Sequence, residues 1–232
     1  MDDSRARDEP LHDLPYHESH VSWMAHMRRS AWLVGATIAI VACSTGMKAS
    51  QPDGWISLFD GKTLNGWRAS ENPATFRVEN GVIVVHGPRA HLFYDGPVRN
   101  HEFTDFELKA DVLTKPGANS GIFIRTTFQP IGFPSKGYEV QVNNSQSDWR
   151  RTGSLYAVRD VREGLPDDKW FTIHTIVRGR RVQIMVDGKQ TVDYTEPDSL
   201  PTRLTGRTIA LQGHDPGSEV HYRNIMIRPI GP

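Results

Sequence analysis

The strongest constraint on the fold of this chain is an alternation of apolar and polar residues with a period of two, clearest in the segment GYEVQVN at residues 137–143. In a β-strand this period sends Tyr138, Val140 and Val142 to one face of the sheet and the polar residues between them to the other. One face of the strand is therefore suited to packing in a core, and the other is free to carry chemistry.

A second segment with the same period lies just upstream, NSGIFIR at residues 119–125. Ile122 and Ile124 point to one face of this predicted strand, and Arg125 points to the other. If the two strands are neighbours in one sheet, Arg125, Glu139 and Gln141 line a single polar surface. This surface is the first candidate for a functional site.

Turn signals divide the chain after residue 55 into many short strands. The segment ENGV at 79–82 predicts a hairpin between strands at 75–78 and 82–86, and VDGK at 186–189 turns into a strand at 190–194. Further strands are predicted at residues 103–112, 170–178, 181–186, 208–212 and 220–228. No window after Cys43 has a convincing helical period. The pattern predicts an all-β fold, an antiparallel β-sandwich of the jelly-roll kind.

Composition excludes several classes of function. The 232 residues carry 27 basic and 27 acidic side chains, so the formal net charge is zero and a general affinity for nucleic acid is not expected. No glycine-rich nucleotide-binding fingerprint follows a strand, and the single cysteine, Cys43, is not a plausible nucleophile. A neutral partner is the better expectation.

The position of Cys43 points to export. Two arginines at 28 and 29 precede a largely apolar run over residues 31–42, and the segment IVAC at 40–43 resembles a bacterial lipobox, in which the cysteine is lipidated. We therefore predict a lipoprotein of the bacterial cell envelope, anchored to a membrane through acyl chains on Cys43. An ordinary cleaved signal peptide and a buried N-terminal helix are the alternatives.

These observations divide the chain into four parts. Residues 1–26 are polar and aperiodic, so we expect them to be disordered or to lie upstream of the true start. Residues 27–43 form the lipoprotein signal peptide, residues 44–54 a short tether, and residues 55–230 the folded domain.

Five segments of the predicted domain together resemble the 3-keto-disaccharide hydrolase domain family, in the family's order. They are WISLFDGKTLNGW (55–67), NSGIFIR (119–125), GYEVQ (137–141), GSLY (153–156) and LQGHDPGSEVHYRNI (211–225). The resemblance implies a concanavalin A-like or laminin G-like jelly roll, an extracytoplasmic setting and action on glycosides whose sugar carries a ketone at C3. Where family segments often continue to an Asp after Glu-x-Gln, this chain has Asn143 and Asn144, and an Asn cannot accept a proton.

A ketone at C3 makes the hydrogen on C2 acidic, so a base can remove it and the C1 substituent can leave; water then adds to complete a net hydrolysis. The reaction needs a base near C2, an electrophile for the enolate oxygen and an acid for the leaving oxygen. On motif position and strand face we assign Glu139 as the base, Arg125 as the enolate stabiliser and His214 as the acid or a second electrophilic partner. The residues expected to bind the sugar through hydroxyl contacts or stacking are Gln141, Asn143, Gln212, Tyr156 and Trp170. A separate oxidoreductase would supply the 3-keto-sugar.

Each assignment has an alternative. Glu139 and Arg125 would also serve as a cross-strand ion pair that supports the sheet, and Tyr156 and Trp170 as core aromatics. A divalent metal is possible on the ligand set of His214, Asp215, Glu139 and Glu219, but the spacing is not that of a known metal motif, and the site stays unassigned. At the level of function, the alternatives are a non-catalytic carbohydrate-binding module and a structural surface lipoprotein.

Overall fold

The computed structural model describes residues 53–231. The predicted disordered segment, the signal peptide with Cys43 and nearly all of the predicted tether lie outside the described residues. Export and lipidation therefore stay predictions. Within the described part of the chain, no helix is long and apolar enough to cross a membrane.

Thirteen strands make up nearly all the regular structure of the described chain. They are β1 (Ile56–Ser57), β2 (Trp67–Ala69), β3 (Phe76–Glu79), β4 (Val82–His86), β5 (Ala90–Tyr94), β6 (Phe106–Thr114), β7 (Asn119–Thr126), β8 (Tyr138–Asn143), β9 (Phe171–Arg178), β10 (Arg181–Val186), β11 (Lys189–Thr195), β12 (Thr208–Gly213) and β13 (Glu219–Pro229). A single turn of 3-10 helix occurs at Pro73–Thr75, and Val98–His101 forms a tight turn in which three successive residues have positive φ.

The strands form two antiparallel sheets. The larger sheet has the order β11-β10-β9-β6-β13-β4-β3, with β1 also pairing with β13, and the smaller sheet has the order β2-β5-β12-β7-β8. The predicted hairpins at Asn80-Gly81 and Asp187-Gly188 are present, and all four turn residues have positive φ. Two consecutive left-handed residues match the twist of a hairpin, which explains why Asn-Gly and Asp-Gly mark these turns.

One core lies between the two sheets, as the alternation predicts. Tyr138, Val140 and Val142 of β8 pack in it, as do Ile122 and Ile124 of β7, all at most 3% exposed. Apolar residues of the larger sheet face them from across the core. The antiparallel β-sandwich predicted from the sequence is thus confirmed, and Glu139 and Gln141 of β8 lie on the outer face of the smaller sheet.

The sequence reading missed two strands of the smaller sheet, β2 and β5. All five residues of β5, Ala90–Tyr94, are buried, so the strand has no polar face and no alternation to reveal it. The omission matters for the site, because β5 lies next to β12 and contributes to the same outer face.

Candidate active site

The outer face of the smaller sheet carries a cavity of about 290 Å³. Sheet register explains its floor: Glu139 of β8 pairs with Phe123 of β7, Gln141 pairs with Gly121, and β12 runs alongside β7. The walls come from the loop between β7 and β8 and from loops after β8 and β12. The lining residues are Asn119, Phe123, Phe133, Pro134, Glu139, Gln141, Tyr156, Arg203, Gln212 and His214.

Glu139 lies half-buried in this cavity. Its Oε1 accepts a hydrogen bond from Gln212 Nε2 at 3.0 Å. Desolvation raises the pKa of Glu139 to about 8, an effect that the hydrogen bond from Gln212 opposes and the nearby charge of Asp148 reinforces. At neutral pH the side chain is therefore mostly a neutral carboxylic acid that can donate a proton.

Gly121 provides the space that the Glu139 carboxyl occupies. A Cβ on residue 121 would overlap Oε1 of Glu139 and lie 2.7 Å from its Cγ. The φ of Gly121 is not positive, so the requirement is for space and not for an unusual backbone conformation. The glycine in the NSGIFIR segment is thus explained by the close approach of a carboxyl group on the neighbouring strand.

His214 is oriented by the residue that follows it. Its Nδ1 lies 2.7 Å from Asp215 Oδ2, and Asp215 also accepts hydrogen bonds from Ser218 Oγ at 2.9 Å and the Gly217 N–H at 2.8 Å. Desolvation works against ionisation of Asp215, but the hydrogen bonds outweigh it and hold the pKa of Asp215 below its usual value. A carboxylate that accepts from Nδ1–H leaves Nε2 as the nitrogen that can take up a proton.

Several buried polar atoms around the cavity have no hydrogen-bond partner within residues 53–231. They are both amide atoms of Gln141, Oε1 of Gln212 and Oδ1 of Asn119, all in residues that line the cavity. Buried polar groups without partners are uncommon and costly. Because these atoms lie at one cavity, water or a bound polar ligand supplies their partners there.

His91 is a further ionisable residue beside this site, and the sequence reading missed it. It pairs across the sheet with Gln212, and its ring packs against Phe123 and Phe133 with centroids 5.3 and 5.7 Å away. The ring is fully buried, and neither nitrogen has a partner in the described chain. Desolvation lowers the pKa of His91 to about 4, so the imidazole is neutral at physiological pH.

Arg125 does not share the polar surface of Glu139 and Gln141, so this expectation is wrong. Its guanidinium donates to the carbonyls of Thr104 and Gly206, each at 2.7 Å, and to that of Leu204. The reason is a bulge in β7: Arg125 has a φ of +52°, and the register with β12 shifts at this point. A bulge re-aims the side chain and ends the simple alternation.

Asn143 and Trp170 also lie outside the lining of the cavity. The Asn143 amide donates to the carbonyls of Asp148 and Arg150 at 2.9 and 3.0 Å and so holds the loop that follows β8. Trp170 packs beneath the Arg223 guanidinium, 3.9 Å from the ring centroid, next to the larger sheet. Both residues have structural contacts in place of the sugar contacts predicted for them.

The remaining predicted residues do line the cavity: Glu139, His214, Gln141, Gln212 and Tyr156. The Tyr156 hydroxyl donates to Asp148 at 3.1 Å. Of the possible metal ligands, Glu219 pairs with His221 at 2.7 Å on the larger sheet. Within residues 53–231, no three His, Cys, Asp or Glu side chains are grouped closely enough to hold a metal ion.

Comparison with known proteins agrees with the resemblance seen in the sequence. Residues 54–228 match the model of the 3-keto-alpha-glucoside-1,2-lyase-like domain family. A curated relative from Bacteroides thetaiotaomicron, described as a 3-keto-disaccharide hydrolase, is 31% identical over 130 residues. That match spans 45% of this chain and 45% of the relative, so the chain matches under half of the relative's length.

Two solved structures share the fold. One, from Parabacteroides distasonis and provisionally assigned as a glycosyl hydrolase, has a TM-score of 0.64 and 21% identity, covering 77% of this chain and 95% of its own. The other is the carbohydrate-binding module CBM66 from Bacillus subtilis, with a TM-score of 0.53 and 14% identity, covering 71% and 96% of the two chains. At these identities the likeness extends to the fold alone.

Proposed function

Because the chain belongs to the 3-keto-alpha-glucoside-1,2-lyase-like domain family, we propose that it cleaves glycosides whose sugar carries a ketone at C3, by elimination followed by addition of water. The proposal rests on one observation. A protonated carboxylic acid, Glu139, and a carboxylate-oriented histidine, His214, line the same cavity, whose buried amides lack partners.

The acid–base roles follow from the surroundings of the two groups and reverse those expected from the sequence. Burial keeps Glu139 protonated at neutral pH, so it is suited to donate a proton to the leaving oxygen. His214, with Nδ1 held by Asp215, has Nε2 available to accept the proton from C2 of the sugar. The base is therefore His214 and the acid is Glu139.

The reaction balances over two half-steps. Removal of the C2 proton gives an enolate, whose electrons expel the C1 substituent to leave a C1–C2 double bond conjugated with the ketone; Glu139 protonates the departing oxygen. In the second half, water adds to C1 and gives a proton to the Glu139 carboxylate, while His214 returns its proton to C2. Both groups recover their starting protonation states, and the net change is hydrolysis of the glycoside.

The enolate oxygen needs a cationic or hydrogen-bond-donating partner, and Arg203 replaces Arg125 in this role. Arg203 lines the cavity, with its guanidinium 4.4 Å from the centroid of the Tyr138 ring. Arg125 is occupied by three backbone carbonyls. The amides of Gln141, Gln212 and Asn119 would bind sugar hydroxyls, which supply both donors and acceptors.

The test is aglycone release from 4-nitrophenyl 3-keto-α-glucoside and from the unoxidised α-glucoside, each with and without chelator. We expect release from the keto form only. In D₂O, the wild-type protein should introduce deuterium at C2 of the freed 3-keto-glucose faster than the His214→Gln variant does. Equal release from the keto and the unoxidised glucosides contradicts the elimination mechanism. Loss of aglycone release in the presence of the chelator would mean that the mechanism also requires a metal ion.

A carbohydrate-binding module is the second candidate, and the unpartnered amides favour it as much as they favour the enzyme. Such a module would bind the unoxidised and 3-keto forms alike and would not need Glu139 as an acid. Calorimetry with both glucosides separates the two functions. Export, the lipid anchor on Cys43 and a separate oxidoreductase that makes the 3-keto-sugar are parts of the same proposal.

A further inference from the structure

A second and larger cavity, of about 420 Å³, opens on the same side of the smaller sheet. We refer to it as the Arg68 cavity. The sheet register pairs Arg68 of β2 with Phe93 of β5. From Phe93 the same row continues through Ala210 of β12 and Phe123 of β7 to Glu139 of β8. With neighbouring strands about 4.8 Å apart, Arg68 and Glu139 are separated by roughly 19 Å at the backbone. The Arg68 cavity is therefore distinct from the candidate active site.

Arg68 is held in place at the edge of this cavity. Its guanidinium lies over the ring of Phe128, 3.6 Å from the centroid, and Phe128 in turn packs edge-on against Phe93 with centroids 5.1 Å apart. A guanidinium fixed on an aromatic face loses little freedom when it binds a carboxylate with its fork of N–H donors.

Arg68 also differs from its basic neighbours in the cavity, because they already have carboxylate partners. Arg207 lies 2.8 Å from Glu102, and His101 lies 3.5 Å from Asp95. Within residues 53–231, no carboxylate lies close enough to Arg68 to form an ion pair. The cavity thus offers one cation without an anion, together with two carboxylates that can accept hydrogen bonds from hydroxyl groups.

The backbone at the rim of the cavity is strained. Arg99, Asn100 and His101 have φ values of +50°, +53° and +49°, a left-handed conformation that non-glycine residues adopt singly and rarely in succession. The turn brings His101 to the cavity wall. Strain of this kind tends to be kept where a binding site requires it.

We infer that the Arg68 cavity binds a uronic acid, either as a free sugar or as a residue of a glycan. The carboxylate of the sugar would pair with Arg68, and its hydroxyls would donate to Asp95 and Glu102. An aromatic carboxylate would leave those two acceptors unused, and a neutral sugar would leave Arg68 without an anion. The inference does not depend on the proposed catalytic activity.

The experiment is calorimetric titration of the folded protein with glucuronate, glucose and digalacturonate. Glucuronate should bind at least about tenfold more tightly than glucose, and Arg68→Gln should remove that difference while leaving glucose binding unchanged. Arg77→Gln is the matched control, because Arg77 lies on β3 of the larger sheet, pairs with Glu79 and does not line this cavity. It should not alter either affinity.

Three results would overturn the inference: no binding of glucuronate, equal binding of glucuronate and glucose, or an Arg68→Gln variant that still prefers glucuronate. Loss of the preference in Arg203→Gln instead of Arg68→Gln would place the uronate in the candidate active site and would also overturn it. Tighter binding of digalacturonate than of glucuronate supports a glycan ligand, and equal binding supports the free sugar. These results stand whether or not the protein releases aglycones from 3-keto-glucosides.

Discussion

Replacing Glu139 with Gln should make the protein more stable at alkaline pH while removing most of its activity. In the unfolded chain, a Glu ionises near its ordinary pKa of 4.5, whereas burial holds the pKa of the folded side chain near 8. The unfolded state therefore loses its proton first as pH rises. The stability of the wild-type protein should fall between pH 4.5 and 8 and stay level above that range.

The size of the effect follows from the two pKa values. At 1.36 kcal/mol per pH unit, a rise from 4.5 to about 8 corresponds to roughly 5 kcal/mol of lost stability at pH 9. The carboxyl lines an open cavity, and hydration of its charged form reduces this figure, so we expect Glu139→Gln to gain at least about 2 kcal/mol over wild type at pH 9 and almost nothing at pH 4.5.

Chemical denaturation at pH 4.5, 6, 7.5 and 9 measures the difference, with Glu163→Gln as the control, because Glu163 is exposed. Activity of the Glu139→Gln variant on a 3-keto-glucoside should fall about 10²- to 10⁴-fold, the usual contribution of a general acid. Wild-type kcat should also decline above pH 8 as Glu139 ionises. Parallel stability curves for wild type and Glu139→Gln at all four pH values would refute the reasoning about burial.

Three further predictions test the construction of the site. Gly121→Ala should lower kcat/KM about 10²-fold and the free energy of unfolding by about 1 to 3 kcal/mol, because the new Cβ displaces the Glu139 side chain. Arg125→Met should lower the free energy of unfolding by about 3 kcal/mol and leave kcat nearly unchanged, since the guanidinium bonds only to backbone carbonyls. Asp215→Asn should lower kcat at least about 10²-fold with little change in KM, because His214 loses the carboxylate that fixes its tautomer.

Activity assays and thermal denaturation, run in parallel, check these three variants. Gly231→Ala is the control for the glycine, since a Cβ there meets nothing within 4 Å. Arg77→Met and Asp198→Asn control for the loss of an exposed arginine and of an exposed aspartate. A large fall in kcat for Arg125→Met would restore Arg125 as a catalytic residue, and full activity in Gly121→Ala or Asp215→Asn would remove the role assigned to that contact.

Local pattern was sufficient for most of the fold. Period-two alternation in β7 and β8 identified the core residues, and Asn80-Gly81 and Asp187-Gly188 identified hairpins, because strand faces and tight turns are properties of a few consecutive residues. The alternation pattern did not reveal strand β5, because this strand is buried on both faces. His91, which lies on β5 beside the site, was therefore missed as well.

Motif position and alternation also predicted five site residues that the structure places around one cavity. They are Glu139, Gln141, Gln212, His214 and Tyr156. Alternation failed where a strand departs from regular geometry. A single bulged residue sends Arg125 to the carbonyls of distant loops, and hydrogen bonds to the following loop take up the amide of Asn143.

The sequence by itself determined that this chain forms antiparallel strands, which faces of them are apolar and which family its motifs resemble. Only the tertiary structure decided that Gly121 makes room for the Glu139 carboxyl, that burial raises the pKa of that carboxyl, and that Arg203 rather than Arg125 lines the cavity. The physical reason is that propensity and alternation are local. Cross-strand register, bulges and desolvation depend instead on residues far apart in the chain, which meet only when the sheets are assembled.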